Sequence, residues 1–409
     1  MKKIFAGLLA GLFLWSCTSA VLPGGLVADK SESLSPVGEM DSGVFGGDNE
    51  MGGGRAGVVT AGEWCDLSHW DFWSDLMRKE SAEPDVPGQE VAAPSVWTNQ
   101  WGFYTENRVA VEVKAENRDA AAANIPVILL RGEVPVWETR TDNKGQANCW
   151  VNLFRNESLQ STEEFRLSVG GKIQEGAVQF TFFDSEVKVN RYTVETAEVS
   201  TKADIAFIVD ATGSMGDEID FLKKDLDDIL ARAKQQNANL ALRTGAVFYR
   251  DSEDDYVTKV SPFSENVSVT RDFINNQQAD GGGDYPEAVH SALEASLKEL
   301  QWNGSARSRL AFMLLDAPAH NTDEVKESLH ASIQDFARQG IRLIPILASG
   351  GNKECEFMLR CFAMATGGTY VFITNDSGVG NDHIEATVGE YEVEKLNDLI
   401  CRLIVSYTE

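Results

Sequence analysis

Beyond Thr201 the chain alternates short apolar runs with stretches of helical periodicity, and this alternation limits the fold more than any other feature. Asp204–Val209, Leu240–Tyr249, Tyr256–Pro262, Leu310–Leu315, Arg342–Leu347 and Thr369–Ile373 are predicted strands. Asp217–Gln236 places Ile219, Leu222, Leu226, Ile229 and Leu230 three or four residues apart, the spacing of one helix face. Val325–Gln339, Glu354–Ala365 and Val393–Tyr407 read as helices. Phe273 begins a helical stretch broken at Gly281-Gly282-Gly283, and Glu287–Leu300 reads as a helix too. Strands separated by helices predict an α/β fold with a doubly wound, mostly parallel sheet. Any ligand is then expected at the carboxyl ends of the strands.

Three stretches fall at such ends. The first strand runs into Asp210-Ala211-Thr212-Gly213-Ser214-Met215, Gly281 to Glu287 opens a helix, and Leu314-Leu315-Asp316-Ala317-Pro318 closes the fourth strand. A hard cation such as Mg²⁺ takes oxygen ligands at about 2.1 Å. Asp210, Thr212 and Ser214 alternate along one loop, so their oxygens can converge; Asp316 supplies a second carboxylate from the adjacent strand end. Asp284 is a further candidate ligand. Ser214 and Asp284 each have an acid three residues on and also read as helix N-caps. Capping does not explain Asp210 or Asp316, two acids that repel each other unless something neutralises them.

In order and spacing these motifs resemble the von Willebrand factor type A family over Thr201 to Glu409. D-x-T-x-S is similar to that family's first metal loop, L-L-D-A-P to its third, and Ala365 to Tyr370 to the turn before its last strand. The D-A-T-G-S-M and G-G-G-D-x-P-E pair looks most like the hemicentin-like subgroup. The resemblance implies a Rossmann-like domain with a metal-ion-dependent adhesion site holding Mg²⁺, Mn²⁺ or Ca²⁺. In that family one coordination position is open to a partner's carboxylate. Many members have a threonine where this chain has Asp284; if Asp284 ligates, three carboxylates leave the site with net charge −1, favouring metal and disfavouring carboxylate capture.

The same rim also admits a metal-dependent hydrolase with His320 or His290 as its base. The sequence has no histidine-ligand spacing, no G-x-S-x-G and no phosphate-loop lysine, so it reads as a binder rather than an enzyme, with His320 an exposed rim residue. The run Asp251-Ser252-Glu253-Asp254-Asp255 reads as a solvated acidic loop, with a second cation as the alternative.

Upstream, residues 103–198 carry about seven short strands at 8–15-residue spacing, including Val178–Phe183 and Val187–Tyr192, and predict an all-β antiparallel sandwich. Thr141–Ala147 resembles the T-D-x-x-G-x-A pattern of immunoglobulin-like and carboxypeptidase-regulatory-like repeats, which serve mostly as spacers. Residues 58–102 form an aromatic-rich connection with Trp64, Trp70, Phe72 and Trp73. It either folds back on a neighbouring domain or docks a partner.

Residues 1–17 have the layout of a signal peptide: two lysines, then an apolar stretch too short to span a bilayer. Leu14-Trp15-Ser16-Cys17 resembles a lipobox, which implies lipidation at Cys17; a plain secretory signal is the alternative. Residues 18–57, rich in Gly, Ser and acids, read as a flexible tether. A formal charge of −27 over 409 residues argues against nucleic acid. The expected setting is the bacterial cell envelope, on its periplasmic face or the cell surface, with an envelope or extracellular protein as partner. Beyond Cys17 five cysteines remain, too few for a disulfide scaffold; Cys355 or Cys361 could meet Cys401.

Overall fold

In the computed structural model the described residues are 59–78, 94–116, 120–195, 200–375 and 383–409. The expected signal sequence with Cys17, and the expected tether 18–57, lie outside them.

The described chain opens with strand β1 (Thr60–Trp64) and two helices, α1 (Trp70–Arg78) and α2 (Pro94–Trp101). Eight short strands follow: β2 (Arg108–Ala115), β3 (Ala120–Ala121), β4 (Pro126–Arg131), β5 (Val134–Arg140), β6 (Gln146–Trp150), β7 (Phe165–Val169), β8 (Lys172–Ile173) and β9 (Val189–Val194). One sheet centres on β2, paired with β3, β6 and β9; the other has the order β5-β4-β7-β8. Alternation in β2 sends Val109, Val111 and Val113 inward to meet Val127, Leu129, Phe165 and Leu167 from the second sheet. Two four-stranded sheets thus share a core, and they differ from the antiparallel sandwich expected in two respects. Strand β9 pairs with β2 in parallel, and Val178–Phe183 makes only an isolated bridge at Thr181 to Arg108. The side chain of Asn190 bonds to both backbone groups of Gln179, one reason that stretch does not pair as a regular strand.

The C-terminal part runs β10 (Lys202–Asp210), α3 (Gly216–Gln236), β11 (Ala241–Tyr249), β12 (Thr258–Ser264), α4 (Val267–Asn275), α5 (Val289–Glu299) and β13 (Ser308–Leu315). It continues through α6 (Asp323–Gln339), β14 (Ile341–Leu347), α7 (Lys353–Thr366), β15 (Tyr370–Ile373), β16 (Glu394–Lys395) and α8 (Leu396–Thr408). The sheet order is β12-β11-β10-β13-β14-β15-β1-β16. The inner pairs from β11 to β15 are parallel, and the pairs at both margins are antiparallel. The fold is α/β, on a mixed sheet.

Alternate residues of the central strands feed different cores. Phe207, Val209, Phe312 and Leu314 pack with Leu222 and Leu226 of α3 and Leu399 and Leu403 of α8. Ile208, Ala311, Met313 and Leu343 pack with Leu293 of α5, Ile333 of α6 and Met358 of α7. That second core continues without a break into the sandwich and into Trp64, Trp70, Trp73 and Trp101. Fully burying a side chain of this kind stabilises by roughly 1.5–3 kcal/mol, so the shared core is a large term for both parts.

The aromatic segment 58–102 is thus no mere connection. It places β1 in the sheet beside β15 and buries Trp73 under Arg360 of α7, 4.8 Å from the ring centroid. Arg360 also holds Asp66 by two hydrogen bonds of 2.9 and 2.6 Å. The sandwich grips the amino end of the sheet, where Asn124 accepts from Arg309 at 2.6 Å and Asn143 donates to the Ser406 carbonyl at 2.7 Å. The carboxyl ends of the strands lie opposite.

Cys149, Cys355, Cys361 and Cys401 are free and buried. Cys355 and Cys361 of α7 belong to one core and Cys401 of α8 to the other, so the sheet stands between them and neither meets Cys401.

Candidate metal site

Asp210 is the last residue of β10, and Val209 pairs with Leu314 of β13, so Asp316 stands just past the neighbouring strand end. Both carboxylates are buried, Asp210 completely. Asp210 Oδ1 accepts from the backbone N–H of Thr212 at 2.9 Å and from its hydroxyl at 2.7 Å. Asp210 Oδ2 is buried and makes no hydrogen bond of normal geometry, although the Tyr249 hydroxyl lies near enough to favour its charged form. The Ser214 hydroxyl bonds to Asp316. Burial above all, and then the Asp316 charge, pushes the Asp210 carboxyl up to about 7. Burial raises Asp316 as well, opposed by the Ser214 bond.

The helix-cap readings fail. A 3-10 turn, Gly213–Met215, leads into α3, whose cap position is Met215 with no side-chain bond. Helix α5 starts at Val289 with Ala288 at its cap, five residues past Asp284. It starts late because Glu287 is extended: its N–H bonds to the Pro318 carbonyl at 3.0 Å and it bridges to Ala319.

That bridge turns Glu287 into the carboxylate that sequence reasoning missed. It is 3% exposed, and its Oε2 is buried without a partner. Burial, followed by the charges of Asp210, Asp251, Asp316 and Asp254, pushes it up to about 9. Gly282, at φ +78°, passes so close that a β-carbon there would stand 3.1 Å from Thr212 Cβ and 3.2 Å from Glu287 Oε1. The one sequence signal was an acid at the foot of the glycine loop, which looked like an ordinary first-turn residue.

Asp284 is exposed and its carboxylate lies elsewhere, with Asp251 and His320; one ligand atom from each falls within 4.8 Å of the others. Asp251 is 5% exposed, not solvated, and its Oδ1 bonds to His320 Nε2 at 2.7 Å, so His320 is not a free rim residue either. Behind the site, Glu218 of α3 accepts from Ser349 Oγ at 2.8 Å. On the rim, Tyr285 is 41% exposed and donates to the Asp316 carbonyl at 3.0 Å.

The set of Asp210, Thr212, Ser214 and Asp316 suits a hard divalent cation, with Glu287 buried beside it but the three carboxylates not all drawn to within 4.8 Å of one another. Its oxygens are the kind such an ion takes, and two buried carboxylate oxygens make no hydrogen bond of normal geometry. Buried, unpaired charge of one sign is costly, and a bound cation removes that cost.

Two curated relatives match part of the chain. An alpha-protein kinase of Dictyostelium discoideum is 29% identical over 142 residues, 34% of this chain and 22% of that protein. An ariadne-like RING finger protein of Acanthamoeba polyphaga mimivirus is 28% identical over 169 residues, 41% of this chain and 15% of that protein. The chain thus spans less than a quarter of the length of these relatives. Residues 204–375 match the von Willebrand factor A domain family. That span takes in β10 to β15 and all three strand-end loops, so the chain carries a von Willebrand factor A domain, a type generally associated with protein–protein interaction.

Proposed function

We propose that this domain binds a divalent cation, Mg²⁺ first of all, through Asp210, Thr212, Ser214 and Asp316 with Glu287 beside them, and presents it to a protein partner. The observation that carries the reading is the pair of orphaned, buried carboxylate oxygens on Asp210 and Glu287, which a cation would satisfy. When bound, the ion supplies a Lewis-acidic position for a partner's carboxylate. The chain's own residues then have distinct tasks. Thr212 orients Asp210 through two hydrogen bonds, Ser214 orients Asp316, and Glu218 with Ser349 backs the loop. With Glu287 ionised the site carries three carboxylates, so it favours the metal and captures a partner carboxylate only weakly, a device for reversible contact. Mn²⁺ and Ca²⁺ share the preference for oxygen.

The proposed setting is the cell envelope, with the chain lipid-anchored at Cys17 and the sandwich an immunoglobulin-like spacer. Among the described residues no helix is long and apolar enough to cross a membrane. A pull-down from envelope extract tests the reading. Partners retained with Mg²⁺ should be released by chelator and absent with Asp316→Ala; retention indifferent to both would overturn it.

A further inference from the structure

Beneath the first metal loop two buried polar atoms stand side by side, and neither makes a normal hydrogen bond. Tyr249 ends β11, and its register partner in the parallel pair with β10 is Asp210 itself. Parallel neighbours are about 4.8 Å apart and project on the same face of the sheet. That face is the one α5 and α7 cover, since Ile208, two residues before Asp210, shares a core with Tyr249, Val289 and Met358. Both residues are fully buried, and the atoms concerned are the Tyr249 hydroxyl and Asp210 Oδ2. The main chain fixes the pair in place. The Tyr249 carbonyl accepts from the Ala211 N–H at 2.8 Å, and Arg250 Nε donates to the Ala211 carbonyl at 3.1 Å. A buried phenol ordinarily finds a partner for its hydroxyl, and leaving it without one is costly.

We propose that Tyr249 is a positioning residue of the cation site, its hydroxyl donating to Asp210 Oδ2 when the ion is bound. This rests on the reading of Asp210 as a metal ligand and goes beyond it in assigning what aims that ligand. Thr212 holds Oδ1 alone, with two bonds that occupy both of its lone pairs. The ion's place therefore falls to Oδ2. Rotation of a carboxylate about its own axis is soft, so one anchored oxygen leaves the plane free to swing. A donor on one lone pair of Oδ2 fixes the plane and turns the other lone pair to the ion.

Loading also strengthens the contact. A bound cation keeps Asp210 ionised, and a hydrogen bond to a charged oxygen is shorter and roughly twice as strong as a neutral one. Burial, followed by the charges of Asp210, Glu287, Cys355 and Asp316, keeps the phenol protonated well above its ordinary range, so it remains a donor. Tyr256, another tyrosine near this corner, is engaged otherwise: Arg250 lies 4.7 Å and Lys259 3.8 Å from its ring centroid.

Tyr249→Phe keeps the ring and removes only the hydroxyl. Calorimetric titration of Mg²⁺ into the chelator-stripped full-length chain should give an affinity at least roughly tenfold lower in the variant, the worth of one hydrogen bond to a charged group. Thermal unfolding in EDTA should show the metal-free variant as stable as wild type or more so, because a buried group without a partner has gone. On wild type, the ultraviolet difference spectrum produced by Mg²⁺ should contain a tyrosine band. That band should be lost in Tyr249→Phe and kept in Tyr256→Phe and Tyr285→Phe. Undiminished Mg²⁺ affinity in Tyr249→Phe, whether or not its metal-free stability falls, would overturn the proposal and leave the metal reading standing. So would a tyrosine band unchanged in that variant. Wild type that binds no Mg²⁺ would overturn both.

Discussion

Replacing Glu287 by glutamine should stabilise the metal-free protein, and only above the ordinary carboxylate range. Burial, followed by Asp210, Asp251, Asp316 and Asp254, raises this carboxyl from 4.5 to about 9. Between those values the unfolded chain has given up a proton that the folded chain keeps. Folding then takes up a proton, and stability falls as pH rises through the window. Near neutrality the medium stands about 2.5 pH units above the unfolded value, which corresponds to ~3.4 kcal/mol at 1.36 kcal/mol per unit. The overlying Gly281, Gly282 and Gly283 are exposed, so solvent screening reduces the expected figure to about half, ~1.5 kcal/mol. Glutamine cannot ionise in either state, so folding no longer takes up that proton, and it brings N–H donors toward Asp210, whose Oδ2 makes no hydrogen bond of normal geometry. At about 2–4 °C per kcal/mol for a large domain, Tm should rise roughly 3–6 °C. Thermal unfolding in EDTA at about pH 7 and near pH 4.5 is the assay. The gain should be present at the first and nearly absent at the second. Excess Mg²⁺ should reverse the order of the two proteins, since wild type then gains more by mass action. Equal changes at both pH values, or a loss at neutral pH in chelator, would refute the electrostatic account of this loop.

The remaining predictions concern how the parts hold together. Asp66→Ala leaves Arg360 buried with only Glu356, 3.6 Å away, to balance it, and should cost about 3 kcal/mol in urea unfolding. A cost below about 1 kcal/mol would mean the pair is not the latch between the N-terminal segment and α7. A chain beginning at Thr201 lacks β1 and leaves the β15 edge unpaired, so it should aggregate, whereas a chain beginning at Val59 should run as a monomer on size exclusion. A soluble, monomeric Thr201–Glu409 fragment would show the shared core to be dispensable.

The strand ends were legible because a buried strand announces itself: Ile205 to Val209 and Leu310 to Leu315 are unbroken apolar runs, and each is followed by an acid with nothing apolar to excuse it. β1 was not legible. Its sequence, Thr-Ala-Gly-Glu-Trp, has no alternation, and its partner Tyr370–Ile373 lies some three hundred residues away, beyond the reach of local pattern. Glu287 was misread because Pro286-Glu287 looks like a helix start, and only the bridge to Ala319 holds it extended. Asp251, Asp284 and His320 share no spacing that marks them as a set. Burial of Asp251 and the folding of two loops onto one another bring them together, and both are tertiary events.

The direction of β1 has a consequence for how this domain meets its surroundings. Because β1 runs against β15, with Thr374 N–H bonded to the Thr60 carbonyl, the chain arrives at the end of the sheet that bears Asp210 and Asp316. Three strand spacings separate β1 from β13, about 14 Å at ~4.8 Å each. The sandwich occupies the far end. If Cys17 is the anchor, the chain coming from the membrane enters the domain on the side of that rim, opposite the sandwich. By chain length alone the 42 residues from Thr18 to Val59 reach at most about 150 Å, which bounds the gap between such an anchor and the domain. Tether length, rather than affinity alone, would then decide whether the domain meets proteins of its own membrane or larger ones approaching from outside.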